Sequence, residues 1–440
     1  MVGESTFVVK RFWFLLLLPL LIFSGCYSSL PIGPAQSSFR SGNYIQAYDF
    51  VESLEKAYQK GEGELLYNLD LGTLAHYGSL YEKSIKHLER SELLIKHLYT
   101  QSITENISSY LVSDNTKAYQ GEDYEDLYLN IFQALNYVAL EDGEAALVEL
   151  RRLVEKEQLL KNKYQKIISK GDSYNKELNL PQLESIKFSH SAFGSYLSMI
   201  INRSLGYYDE SLFFYNQVKE AFKTQSSLYP FSLPASLESE LLVVDRGSKR
   251  VNFVAFSGTA PQKVEVVDRF WFSPSNYIKI ALPTLVGSAT KVNSIEILFS
   301  DGSLIFLEPI ESIGLIARDT FKLRLGAITT KTIIRSYLKA TGVAVIDVAT
   351  QDSDNSLGLF GPILSLASRI FNEASEQADL RMSHFFPDQV WVGGVTMKEG
   401  TYDAKVIYKD RNGTIMAIDE IKDLRVSKNG LNLFESFYPR

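Results

Sequence analysis

The sequence predicts two unlike halves, paired helical hairpins up to about residue 225 and an α+β unit with an antiparallel sheet after it. Three observations predict this. Apolar residues recur with a helical period from 38 to 225, and four segments in that range align with one another. A composition shift at "SSLYPFSLPASLESE", residues 226 to 240, introduces alternating β-branched and aromatic runs. Two of those runs are broken by Asp301-Gly302 and Asn412-Gly413, the residue pairs of tight hairpins.

The four aligned segments are "SGNYIQAYDFV", "YGSLYEKSIKHL", "LEDGEAALVEL" and "LGYYDESLFFY". Each puts a small residue at one position, Ala47, Ser84, Ala146 and Ser211, and three of the four put tyrosine three residues earlier, at Tyr44, Tyr81 and Tyr208. Twelve residues before Ser84 and Ala146 stand Gly72 and Ala134, where a preceding helix needs a small residue for close approach; the fourth unit has Met199 there. This resembles the tetratricopeptide (TPR) pattern, so the expected fold class is an α-helical TPR-like hairpin array followed by an α+β domain with an antiparallel sheet. The small residues are 37, 62 and 65 apart, against a repeat of about 34 residues, so insertions separate the units. A nonrepeating helical bundle with small-residue packing is the alternative.

In the C-terminal half, "IEILFSDGSLIFLEP" and "TYDAKVIYKDRNGTIMAIDEI" read as hairpins. In the second, Tyr402, Ala404, Val406 and Tyr408 share one face, and Asp403, Lys405 and Lys409 the other, which predicts a half-exposed sheet. Between the hairpins, "IESIGLIARDTFKLRLGAITTKTIIRSYLKATGVAVIDVAT" and "GPILSLASRIFNEASEQADL" look helical.

The N-terminus carries Lys10 and Arg11, then an apolar run from Phe12 to Phe23 interrupted by Pro19, the layout of an export signal. The run is shorter than the roughly 20 residues that span a bilayer. It ends in "LIFSGC", where Ser24 and Gly25 precede Cys26, the one cysteine among 440 residues. The stretch resembles the lipobox of bacterial lipoproteins, with Phe23 where Leu, Val or Ile is commoner; an ordinary secretory signal with a coincidental cysteine is the other reading. The lipobox implies lipidation of Cys26, cleavage after Gly25 and membrane attachment through the acylated cysteine. Tyr27, in place of aspartate, implies the outer membrane. The resulting division is 1–25 signal peptide, 26–37 tether, 38–225 helical domain and 226–440 α+β domain.

The net charge of −7 becomes −8 when the first 25 residues leave, since they carry Lys10 and Arg11 against Glu4. An acidic chain is a poor nucleic-acid binder, and without Cys26 there is no thiol for disulfides, thiolate catalysis or metal ligation. His76, His87, His97, His190 and His384 show no i, i+3 or i, i+4 pair, so no helical zinc site is expected. No G-x-S-x-G elbow, Walker A loop or dinucleotide fingerprint occurs, and "AFSGTAPQK" reads as a strand-to-strand bend. No cofactor, metal ligand or catalytic residue is assigned.

Two segments attract attention. "GEDYEDLYLNIFQAL" puts Glu122, Asp123, Glu125 and Asp126 at a helix start, which capping explains; the functional alternative is a groove-lining loop offering Asp114, Asn115, Tyr119, Glu122 and Asp123 to a partner. "EQADLRMSHFFPDQVW" reads as a helix-to-strand junction locked by Asp379 and Arg381. Together with the lipobox, "SGTAPQKVE" and "IALPTL", these segments resemble a poorly characterised family of bacterial lipoproteins with tetratricopeptide-like N-terminal halves. The resemblance implies an envelope location and an envelope protein or lipoprotein partner. The expected function is a lipid-anchored scaffold, displayed on the periplasmic face or the cell surface, that binds a protein or peptide through its helical hairpins. The alternative is an envelope enzyme acting on cell-wall or surface polysaccharide through paired carboxylates of the C-terminal half. "GLFGPILSLASRIF" is apolar with one arginine and reads as a core helix in preference to a membrane contact.

Overall fold

The computed structural model describes residues 30–103, 118–178, 185–242, 244–245, 247–273, 276–287, 289–322, 324–326, 328, 378–427 and 430–440. Cys26 and the signal segment, Asp114, Asn115, and most of the two segments expected to be helical between the hairpins lie outside these residues. The N-terminal half is helical: α1 Gly33–Arg40, α2 Tyr44–Ser53, α3 Glu55–Lys60, α4 Glu64–Tyr77, α5 Tyr81–Ile103, α6 Asp123–Ala139, α7 Gly143–Leu178, α8 Ala192–Leu205 and α9 Tyr208–Thr224. Strands follow: β1 Ser248–Ser257, β2 Gln262–Ser273, β3 Asn276–Val286, β4 Ser294–Phe299, β5 Leu304–Ser312, β6 Gln389–Lys398, β7 Gly400–Lys409, β8 Ile415–Val426 and β9 Asn432–Tyr438.

Four helix pairs, α1–α2, α4–α5, α6–α7 and α8–α9, are joined by the same turn. A residue in the left-handed region, Gly42, Ser79, Glu141 or Gly206, ends the first helix. The N–H after it reaches back five residues, from Asn43 to Ser38, Leu80 to Ala75, Asp142 to Tyr137 and Tyr207 to Asn202, at 2.8 to 2.9 Å. This bond closes a helix C-terminus by satisfying an orphan carbonyl. The small residues Ala47, Ser84, Ala146 and Ser211 each stand five positions after the left-handed residue, and all are fully buried. The twelve-residue spacing has a direct cause in two pairs: Ser84 Oγ donates to the Gly72 carbonyl at 2.7 Å, and Ser211 Oγ to the Met199 carbonyl at 2.8 Å. A Cβ on Gly72 would fall 2.6 Å from Leu88 Cδ2, so α4 and α5 pack with no room for a side chain there. Ala134 is likewise fully buried, between α6 and its partner helix.

One expectation is corrected at the start of the chain. Residues 33–37 are part of α1, not a tether, and Ile32, Ala35 and Phe39 are buried. Phe39 packs edge-on to Phe385, so this end is folded against the C-terminal half.

Seven strands form one sheet in the order β8-β7-β4-β5-β6-β1-β9, antiparallel except for the parallel pair β1–β9. Its two edges meet: Tyr408 Oη donates to Ser436 Oγ at 2.7 Å, and Ser436 Oγ donates to Asp419 Oδ2 of β8 at 2.6 Å. The sheet therefore curls around an inner core that includes Val251, Phe253, Ile295, Ile297, Trp391, Val406 and Tyr408. The expected alternation on β7 is present, with Ala404, Val406 and Tyr408 inside and Asp403 and Lys405 exposed. Both hairpin turns carry glycine at positive φ, Gly302 at 84° and Gly413 at 79°. "AFSGTAPQK" is a bend between β1 and β2, with Gly258 at φ 70°. Strands β2 and β3 form a separate two-stranded ribbon.

The outer face of β5-β6-β1-β9 carries the helices. Val254, Phe256, Val390 and Val392 point into one core shared with α4, α6 and α8, where Phe256 stacks on Phe132 at 5.7 Å and on Phe437 at 5.4 Å. Alternation along β1 thus feeds two cores, one from each face. β5 changes allegiance partway: a register shift between Pro309 and Glu311 turns its end toward the helices, and residues 313–322 continue as a helix with Ile313, Ile316 and Ala317 buried in the shared core.

Gly72→Val should lower stability by about 1–3 kcal/mol, the usual range for forcing extra methyl groups into a packed interface. Denaturant unfolding monitored by circular dichroism measures it, with Gly413→Ala as a contrast whose cost is confined to one exposed turn.

Candidate functional site

The two segments singled out in the sequence meet in space. α6 begins after Gly121, which takes φ 82°, with Glu122 as its cap and Glu125 returning a bond to the Glu122 N–H at 2.8 Å, the reciprocal pattern of a capping box. Glu125 also accepts from Tyr119 Oη at 2.5 Å and from the Ser383 N–H at 2.5 Å. Glu122 is enclosed by Lys263 of β2 and by Arg324, the latter at 3.1 Å. Lys263 Nζ donates onward to the Arg381 carbonyl at 2.9 Å, and the Arg381 guanidinium, held by Asp379 at 2.8 Å, lies 5.6 Å over the Tyr119 ring. Deeper in, Asp70 of α4 accepts from Tyr58 Oη at 2.7 Å, Ser383 Oγ at 2.9 Å and the His384 N–H at 2.9 Å, and pairs with His384 Nδ1 at 2.7 Å.

This polar seam joins the helices to the strand-rich half. Tyr119 and Glu122 are 2% and 4% exposed and are committed to it. Asp379 and Arg381 form the expected local pair. Ser383 donates its hydroxyl to Asp70 and not to His384, so aspartate, histidine and serine stand here without the relay order of a hydrolase triad. Burial pushes Glu125 up to about 7, with the Glu122 charge adding to it. Burial works to lower the His384 value, but the carboxylates of Asp70, Glu62 and Glu125 outweigh it, and the imidazole is raised above its ordinary 6.5.

Asp123 and Asp126 point the other way, into a groove of about 470 Å³ between α5 and α7. Lys163 holds Asp123 at 2.6 Å, and Lys156 bridges Asp126 at 2.6 Å and Glu92 at 3.0 Å. Arg152 reaches Glu92 at 3.3 Å and Glu149 at 2.8 Å. Burial opposes the charge on Asp123, but Lys163 and Arg324 more than offset it and hold its carboxyl low. For Asp126 burial prevails over Lys156, and its carboxyl is raised. Because these cations are already matched by carboxylates of the wall, the groove offers an incoming group mainly its apolar lining. Leu127 and Leu160 make a buried floor, and Leu93 and Leu159 stand on the walls, 61% and 64% exposed.

Sequence reasoning missed Asp70, Lys263 and Arg324. The signal for Asp70 was present, since Asn68, Asp70, Thr73 and His76 are polar residues in a helix buried on all sides; its partner is 314 residues away. Among the described residues no cluster of metal-ligating side chains occurs, and no helix is long and apolar enough to cross a membrane.

Asp70→Asn should move the His384 titration downward, because the charge that favours the imidazolium is removed while its shape is kept. Ring-proton NMR against pH measures this; an unmoved midpoint would show that other groups govern His384.

Comparison with protein-family models, with curated proteins and with solved structures gives no match, so what the chain does is read from its own residues.

Proposed function

We propose that the protein is a lipid-anchored envelope scaffold whose TPR-like hairpins receive a segment of a partner protein in the α5–α7 groove. The groove carries this reading: it is open, lies between two adjacent hairpins, and has an apolar floor flanked by two exposed leucines on opposite walls. Its volume of about 470 Å³ suits a few apolar side chains of a helix or strand. The TPR-like description is supported by the four identical turns and by small residues at one fixed offset from them. The alternative, carboxylate catalysis in the C-terminal half, gains nothing from the groove, where Glu92, Asp123 and Asp126 are each held by a lysine of α7. Lipid anchoring rests on the resemblance around Cys26. From Cys26 to Leu30, where the described body begins, four residues reach roughly 14 Å at most, so an acylated Cys26 would keep the body against the bilayer surface.

Leu93→Asp and Leu159→Asp alter exposed side chains, so both variants should fold as the parent does. In-cell cross-linking from envelopes should lose the partners recovered with the unaltered protein, and recovery of the same partners at the same yield would overturn the groove assignment. Cys26→Ser should move the protein from the membrane fraction to the soluble fraction without a change in thermal stability; retention in the membrane fraction would count against the anchor.

A further inference from the structure

Away from the seam, two carboxylates flank a single serine. Ser191 caps α8, its Oγ accepting from the Gly194 N–H at 2.8 Å. Glu157 of α7 accepts the Ser191 backbone N–H at 2.7 Å. Glu311, turned toward the helices by the β5 register shift, accepts from Ser191 Oγ at 2.8 Å, Tyr229 Oη at 2.8 Å, the Phe193 N–H at 3.2 Å and the Tyr128 phenol. Both are enclosed, Glu311 fully and Glu157 to 6% exposure.

The groups facing the pair are these: Tyr128 from α6, Ser191 and Phe193 from α8, and Tyr229 from the segment after α9. The nearby His190 is turned aside, its ring nitrogens bonded to Ser189 Oγ at 3.0 Å and the Gln217 carbonyl at 3.1 Å. Among the described residues neither carboxylate has a lysine or arginine partner. Two anions in that position would each lose hydration and would repel one another with no cation between them. Glu311 has four donors, enough to hold a negative charge; Glu157 has one.

We infer that Glu157 and Glu311 form a proton-held latch between the helical half and the sheet, Glu157 keeping one proton beside the Glu311 carboxylate while the halves are docked and the junction loosening when that proton leaves. Burial raises the Glu157 carboxyl well above the ordinary range, and the charge of Glu311 adds to it; burial raises Glu311 too, against the pull of its hydroxyl donors. A carboxyl that keeps its proton in the folded state contributes stability at low pH. That contribution is lost as pH rises above the unfolded value of 4.5 and through the folded one. The docked state is therefore favoured by mild acid and loosened by alkali.

The test compares unfolding of the wild type and Glu157→Gln between about pH 6 and about pH 9. Glutamine keeps the acceptor for Ser191 and cannot ionise. Wild-type stability should fall with pH, and Glu157→Gln should fall less steeply, by up to one proton, or about tenfold in the unfolding constant per pH unit. Glu125 and His384 titrate in both proteins and cancel in the comparison. Equal slopes, or wild-type stability that rises with pH, would overturn the latch. If Glu157→Gln does not fold, infrared spectra of Glu125→Gln protein with carbon-13 in its glutamate carboxyls decide, since Glu125 would otherwise contribute its own band at neutral pH: a protonated-carboxyl band at neutral pH that disappears on alkalinisation supports the latch, and its absence at neutral pH overturns it.

Discussion

The carboxylate of Glu311 ties together segments that are far apart in the chain: β5, α6, the start of α8 and the stretch after α9. Each bond to such a group is worth about 1.5–3 kcal/mol, set against the cost of removing the charge from water. The balance is favourable only if all the donors arrive together. That requirement fixes the depth of β5, the starting point of α8 and the side of the sheet on which the helices lie. The register shift at Pro309 makes it possible, because without it Glu311 would point into the inner core of the curled sheet, which holds Ile297, Trp391 and Tyr408.

A second constraint is the repeated hairpin turn. With a left-handed residue at each helix end and a buried small residue five positions later, each following helix lies close to its partner. The turn accepts Ser79 and Glu141 as well as glycine, so the five-residue back-bond and the close approach, more than the identity of the turn residue, define the unit. The groove between α5 and α7 lies between two of these hairpins. Its walls are the outer faces of two consecutive hairpins, and its charged residues sit where the walls come near enough to pair.

α6 divides its first turn between two tasks. Glu122 and Glu125 face inward and bind the strand-rich half through Lys263 and Ser383, whereas Asp123 and Asp126 face the groove and meet lysines of α7. A ligand in the groove would therefore press on the same helix end that secures the junction. The division follows from helix geometry, since residues three apart lie on one face and adjacent residues do not.

Helical periodicity, glycine-centred turns and strand alternation act over a few residues, and they are legible in the sequence: the helical half, the four paired units, the two hairpins and the exposed face of β7 all follow from them. The small residues at Ala47, Gly72, Ser84, Ala134, Ala146 and Ser211 were legible for the same reason, because two helices can approach closely only where a side chain is missing. The local pair of Asp379 and Arg381 also needed only proximity in the chain. Tertiary structure alone decided that Tyr119 and Glu122 belong to a buried seam, that Asp70 meets His384, that β5 leaves one core for another, and that residues 33–37 are folded rather than free. These depend on contacts between residues up to hundreds of positions apart. Such pairings leave no periodic trace, since a polar residue facing a distant buried partner and one facing water are written with the same letters.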